Sequence, residues 1–172
     1  MSQTIAGFSE NYRFLSNFYH APIFYNGVSY PTVENAYQAA KFATMLPATL
    51  VSILGEDHVR QYDPNLSLSH PNLVGMFFAS LPPQKAKTMG RKLPLDADWE
   101  SRKESVMREL VALKFQNNPN LANKLKATGD AIIVEANYWH DNIWGDCTCD
   151  RCKQIAGKNL LGHILMDVRA NL

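Results

Sequence analysis

The sequence predicts a helix-dominated α+β domain with a small β-hairpin and sheet, and three observations carry that expectation. Asn26-Gly27 lies between Ile23, Tyr25 and Val28, Tyr30, an alternating apolar pattern around a two-residue turn that favours a hairpin. Apolar residues recur at helical spacing within Trp99 to Gln116 (Val106, Leu110, Leu113) and again near the C-terminus (Leu160, Leu161, Ile164, Leu165, Val168). Strand and helix signals do not alternate as they do in a doubly wound sheet. The 172 residues read as one domain over 1–172, long enough to bury a core.

In chain order, Phe8 to Phe18 is aromatic but aperiodic and reads as a packed loop or short strand. The hairpin follows. Thr32 caps a first helix expected from about Val33 to Met45, which Pro47 stops. A second helix is expected over Ala48 to Gln61, weakened by Gly55, and Asp63-Pro64-Asn65 marks a turn. Leu73 to Ala79 is apolar and ambiguous in type. A short helix is expected to begin around Ser80-Leu81-Pro82-Pro83 and to end near Gly90. Asp96 or Asp98 is the expected cap of the longest helix, Trp99 to Gln116. Pro119 opens another helix through Leu125, closed by Gly129. Ala131 to Glu135 is the best strand after the hairpin, and Asn159 can cap the last helix. No repeat, linker or low-complexity tract interrupts this order.

Lysine and arginine number 17 against 16 aspartate and glutamate, a formal net charge of +1. That balance argues against an extended nucleic-acid-binding surface but leaves room for a pocket with a few local cations. The N-terminus lacks a basic region followed by an apolar run, and no stretch approaches the ~20 apolar residues of a membrane span. Three cysteines confined to residues 147–152 speak against a disulfide framework. A soluble, cytoplasmic protein is expected.

Three segments collect polar and aromatic groups that a core does not demand. If the first helix starts after Thr32, Glu34, Gln38 and Lys41 fall within an arc of about 60° at roughly 100° per residue. A carboxylate, an amide and an ammonium then share one narrow stripe, lining a pocket or facing solvent. Asp98-Trp99-Glu100-Ser101-Arg102-Lys103 lies at a helix start, where Trp99 is either a core anchor or a stacking platform. Asn137 to Asp146 joins a strand to the last helix, with Trp144 and Asp146 near its end. Together they offer two carboxylates, an indole and a cation, the parts needed to hydrolyse a glycosidic bond to a nitrogen base. Gly157-Lys158-Asn159 at a helix start is a plain cap or a phosphate site.

Cys147-Thr148-Cys149-Asp150-Arg151-Cys152 has a C-x-C-x₂-C spacing that can place three thiolates around a structural zinc ion. His140, His163, Asp146 or a cysteine of a second chain could complete the set. Reduced free thiols and a redox role are the alternatives.

The order of Leu15-Ser16-Asn17-Phe18, the Pro-Thr-x-Glu-x-x-x-Gln-Ala-x-Lys pattern ending at Lys41, Gly90-Arg91, Asp98-Trp99-Glu100, Leu113-Lys114-Phe115, Trp144-Gly145-Asp146 and Lys158-Asn159-Leu160-Leu161-Gly162 resembles the NADAR domain family of YbiA-like N-glycosidases. The likeness runs from about Phe8 to Arg169. It implies an α+β, mostly helical domain that cleaves N-glycosidic bonds without a metal cofactor. The family's substrates are riboflavin-pathway intermediates bearing ribose 5-phosphate, or ADP-ribosylated guanine. The resemblance places the family's acid at Glu34, its tryptophan at Trp99 and its aspartate at Asp146. Asn17, Phe18, Gln38, Lys41, Trp144 and Asn159 are the matching candidates for substrate binding. Two positions depart from the pattern: the cysteine cluster replaces a glycine-rich run, and Asn35 stands where histidine is common. The expected partner is a small nucleotide-like molecule or an ADP-ribosylated base. Competing readings are a non-catalytic ADP-ribose or nucleotide-binding module, and a zinc-stabilised interaction protein.

Overall fold

A computed structural model describes residues 3–172. In chain order the elements are β1 (Thr4–Ala6), a 3₁₀ helix (Glu10–Leu15), β2 (Ile23–Tyr25), β3 (Val28–Tyr30), α1 (Val33–Ala40), α2 (Pro47–Leu54), α3 (Glu56–Val59), α4 (Leu73–Ser80), α5 (Pro83–Met89), α6 (Trp99–Gln116), α7 (Pro119–Lys126), β4 (Ile132–Val134), β5 (Ala136–Asn137), β6 (Asp146–Cys147) and α8 (Leu160–Ala170). The class is helix-dominated α+β, as the sequence predicts. Two compact units divide it, one of residues 20–110 and one combining residues 1–19 with 111–172; the division falls within α6.

In the unit of residues 20–110, β2 and β3 form the expected antiparallel hairpin, with Ile23 opposite Tyr30 and Tyr25 opposite Val28. Asn26 and Gly27 both take positive φ (47° and 78°), the conformation a tight hairpin turn demands. Thr32 caps α1 as expected, its hydroxyl accepting from Asn35 N at 3.1 Å. Every residue of α1 is buried, against α4 and α5. Asn35 fixes that packing: its amide nitrogen donates to Phe78 O and Leu81 O, both at 2.8 Å. Phe42 stacks on Phe78 at 5.4 Å, and Phe77 meets Phe78 edge-on. Asp63 organises the predicted turn by accepting from Asn65 N.

Several expectations here are corrected. The first helix ends at Ala40 rather than Met45, because residues from α6 and just before it capture its terminal groups. Arg102 donates to Ala40 O at 3.0 Å, Asp96 N donates to Lys41 O at 3.0 Å, and the Asp96 carboxylate accepts from Thr44 N. Pro47 begins the next helix at its first turn, where proline loses no helical hydrogen bond. The helix expected over Ala48 to Gln61 breaks into α2 and α3 at Gly55, whose φ of 82° no helix contains. The ambiguous segment from Leu73 is helical. Around the start of α6 the Asp96 carboxylate binds Thr44 and Arg102, and the Asp98 carboxylate binds Arg102.

In the unit of residues 1–19 and 111–172, β1 pairs in parallel with β4 in the register Thr4–Ile132, Ile5–Ile133, Ala6–Val134. The sequence showed only the second of these strands. Phe8 to Phe18 holds a 3₁₀ helix rather than a strand, with Phe14 and Leu15 buried and Phe14 edge-on to Phe115. Lys114 is buried beside them, donating to Ser16 O at 2.8 Å and lying over the rings of Phe115 and Tyr19. Loss of hydration pushes its pKa down to about 7. The helix opened by Pro119 runs to Lys126, and Gly129 takes the left-handed conformation beyond it. Helix α8 packs on β4 and α7.

Among the described residues no helix is long and apolar enough to cross a membrane.

Candidate active site

Glu34, in the first turn of α1, is 5 % exposed, and Gln38 one turn later is 3 % exposed. The stripe therefore does not face solvent. Gln38 Nε2 donates to Glu34 Oε1 at 2.7 Å. Among the described residues Gln38 Oε1 is buried without a hydrogen-bond partner, a buried acceptor facing no donor. Burial raises the Glu34 pKa; the Gln38 amide and the charges of Lys87, Lys41 and Arg91 oppose that shift without cancelling it. Lys41, half-buried at the C-cap of α1, has its pKa lowered by burial and by the neighbouring Arg91 and Lys87, while Glu34 and Glu100 pull the other way. Its ammonium lies 5.4 Å from the Tyr37 ring centroid.

Helix α5 supplies two of these cations, Lys87 on its last turn and Arg91 just beyond. Arg91 falls within a sequence motif that assigns it no role, and Lys87 lies outside every motif. Their four-residue spacing puts both on one face of a helix but does not say what that face meets. Gly90 sits between them. A Cβ there would collide with Gln38 Oε1 and come within 2.9 Å of Gln38 Cδ, so this glycine makes space for the amide. Its φ of −61° is ordinary for any residue, so the requirement is steric.

Trp99 opens α6 and is 3 % exposed. Tyr37 meets it edge-on at 5.1 Å and the Arg102 guanidinium lies 5.3 Å from its ring centroid. This burial fits the core-anchor reading of Trp99 rather than an open stacking platform. The structure thus brings Glu34, Gln38, Lys41 and Trp99 into one unit, linked through Tyr37.

In the other unit, Asn17 is buried and Phe18 half-buried just after the 3₁₀ helix, next in sequence to Ser16, whose carbonyl accepts from Lys114. Asp146 opens β6, which pairs in parallel with β5. Its backbone N–H donates to Glu135 O at 3.0 Å, and its Oδ1 accepts from Gly157 N at 2.9 Å. Trp144, half-buried, gives its carbonyl to Leu161 N.

Two expectations for Asn159 are corrected. It occupies the N-cap of α8 in a left-handed conformation, with φ 47°, but its side chain does not cap. Its amide instead accepts from Glu135 N and donates to Ile133 O, both at 2.9 Å, joining α8 to β4. Nor is this helix start an open anion site. The N–H groups of Lys158, Asn159, Leu160 and Leu161 donate to the carbonyls of Asn142, Gly145, Ile143 and Trp144, so loop backbone already fills the positions a phosphate would take.

A family model described as the NADAR domain matches residues 6–172. N-glycosidase YbiA of Escherichia coli (strain K12) is 33 % identical over 177 residues, a match spanning 100 % of this chain and 91 % of that protein. Riboflavin biosynthesis protein VVA0006 of Vibrio vulnificus (strain YJ016) is 33 % identical over 163 residues, covering 95 % of this chain and 36 % of the longer protein. The solution NMR structure of Escherichia coli YbiA superposes with a TM-score of 0.69 at 32 % identity, over 99 % of this chain and 86 % of that one.

Proposed function

This chain belongs to the NADAR domain family, and from that premise we propose that it is an N-glycosidase that hydrolyses the bond between a nitrogen base and a ribose carrying a phosphate. One observation carries the reading. A buried carboxyl group with a raised pKa lies within the field of three cations, Lys41, Lys87 and Arg91, in a protein whose net charge is close to neutral. The acid suits the leaving nitrogen, and the cations suit a phosphate.

In the proposed reaction the C1′–N bond breaks as the base takes a proton from Glu34. Water adds to C1′, releases a proton, and leaves a free base and ribose 5-phosphate. Gln38 holds Glu34 in place with its amide nitrogen, and Gly90 leaves room for its Oε1. Trp99 supports the site by packing Tyr37 rather than by stacking the base. Asp146 is proposed to orient the water or to stabilise the positive charge developing at C1′. Among phosphorylated ribosides, a riboflavin-pathway intermediate bearing ribose 5-phosphate is favoured over ADP-ribosylated guanine, because a relative is a riboflavin biosynthesis protein.

The test is incubation with ribose 5-phosphate N-glycosides, their dephosphorylated counterparts and ADP-ribosylated guanosine, with free base and sugar quantified by mass spectrometry. Equimolar base and ribose 5-phosphate are expected. Removing the phosphate should lower kcat/KM by about ten- to a hundredfold, the worth of one charge-assisted hydrogen bond. No base release from any member, or release indifferent to the phosphate, overturns the reading.

Gly90 gives a second expected result. Gly90→Ala pushes Gln38 away from Glu34 and should lower kcat/KM by about ten- to a hundredfold. If that is the mechanism, the Gly90→Ala, Gln38→Ala double variant is no slower than Gln38→Ala alone.

A further inference from the structure

Residues 137–157 hold the cysteine cluster, which the proposed hydrolysis does not use. The loop folds tightly around Asn137, whose Oδ1 accepts from Trp139 N and Asp141 N, both at 3.2 Å, and whose Nδ2 donates to Asp141 O at 2.7 Å. That turn places His140 at φ 69° and aims its ring at the cysteines. His140 Nδ1 lies 3.2 Å from Cys149 Sγ and 3.4 Å from Cys152 Sγ. The His140 backbone N–H donates to Cys147 Sγ at 3.3 Å, the kind of bond that stabilises a thiolate. All four ligand atoms lie within 4.8 Å of one another, and the cysteines form no disulfide.

Tetrahedral zinc with Zn–S near 2.3 Å and Zn–N near 2.0 Å sets sulfurs about 3.8 Å apart and nitrogen about 3.5 Å from sulfur. The observed nitrogen–sulfur separations, 3.2 and 3.4 Å, fall slightly short of that, and no two of the four atoms are more than 4.8 Å apart. Cys147 and Cys152 are buried, whereas His140 is exposed and Cys149 half-buried, so modest adjustment of these last two accommodates the ion. We propose that His140, Cys147, Cys149 and Cys152 bind one zinc ion, a three-thiolate, one-imidazole site that fixes the loop. Of the four candidates for the last ligand, the geometry selects His140.

Binding through Nδ1 leaves the proton on Nε2. The Arg151 guanidinium beside Nε2 would then meet it donor against donor and turn away; both residues are exposed and free to adjust. The ion would also brace Asp146. Cys147 follows Asp146 in β6, Cys147 N donates to Asn142 Oδ1 at 2.9 Å, and Gly157 on the far side of the cluster donates to the Asp146 carboxylate. Metal here is structural, setting the position of a loop and taking no part in proton transfer or bond cleavage.

The experiment is metal analysis of the full-length protein purified under reducing conditions, followed by replacement of zinc with cobalt. About one equivalent of zinc per chain is expected, and the cobalt form should show a strong thiolate-to-metal charge-transfer band with the visible absorption of a tetrahedral ion. Chelation should lower Tm. His140→Ala should weaken zinc affinity by roughly tenfold or more, whereas His163→Ala, on the exposed face of α8, should bind like the parent protein. Circular dichroism of the variants separates lost binding from lost folding, and the cobalt spectrum of the unmodified protein stands even if Cys149→Ser fails to fold. Well under one equivalent of metal with an unchanged Tm, a cobalt spectrum without the thiolate band, or retention of affinity in His140→Ala overturns the proposal.

Discussion

Glu34→Gln is expected to lower kcat by about 10²–10⁴-fold, the usual contribution of a group that transfers a proton in the transition state. The substitution keeps the shape of the side chain and an oxygen able to accept from Gln38 Nε2, so binding of substrate should change little. A fall confined to kcat distinguishes proton transfer from simple binding; a rise in KM at constant kcat would not. The pH profile adds a second readout. Burial raises the Glu34 pKa, so a carboxyl that must donate its proton loses activity as pH climbs through that raised value, above the ordinary carboxylate range. That limb should vanish in the variant. Stability should respond to the substitution in the opposite sense from activity. The folded state holds the Glu34 proton to higher pH than the unfolded chain does, so over that interval the folded state binds more protons and stability falls as pH rises. Removing the ionisable group removes the loss: Glu34→Gln should melt higher than the parent protein at neutral pH, with the difference closing toward acid pH. A carboxylate retained at a cost in stability is what a functional acid in the interior would look like. Unchanged turnover would remove Glu34 from the reaction.

What the sequence made legible was local. Thr32 could be read as a cap because its partner, Asn35, lies three residues away, and Asn26-Gly27 because a hairpin turn is a two-residue decision. What it hid was set by distant groups. Helix α1 carries no stop signal at Ala40; it ends there because Arg102, Asp96 and Thr44 make hydrogen bonds that continued helix would forbid. Strand β1 is only three residues long and exists through pairing with β4 more than a hundred residues later. Asn159 looks like a cap by type and position, yet its amide is drawn across to β4. The candidate site divides in the same way. Glu34, Gln38 and Lys41 were visible as one helical stripe, but that the stripe is buried, and that Lys87 and Arg91 add their charges, depends on how α5 packs against α1. The cysteine spacing suggested a metal without naming its fourth ligand, because His140 reaches the thiols only through the turn that Asn137 builds.

On the role proposed for Asp146, Asp146→Asn should lower kcat by about 10²–10³-fold, the loss expected when a charge that stabilises a developing cation is removed. The change tests charge and little else. An asparagine oxygen can still accept from Gly157 N, and the backbone bond to Glu135 O is untouched, so the β5–β6 pair and the helix start behind it should hold. Tm reports on that framework independently of turnover. A variant with normal melting but depressed kcat locates the defect in the reaction; one that melts early shows that Asp146 acts by building the loop. An Asp146→Asn enzyme with near-normal kcat would remove that residue from the chemistry altogether.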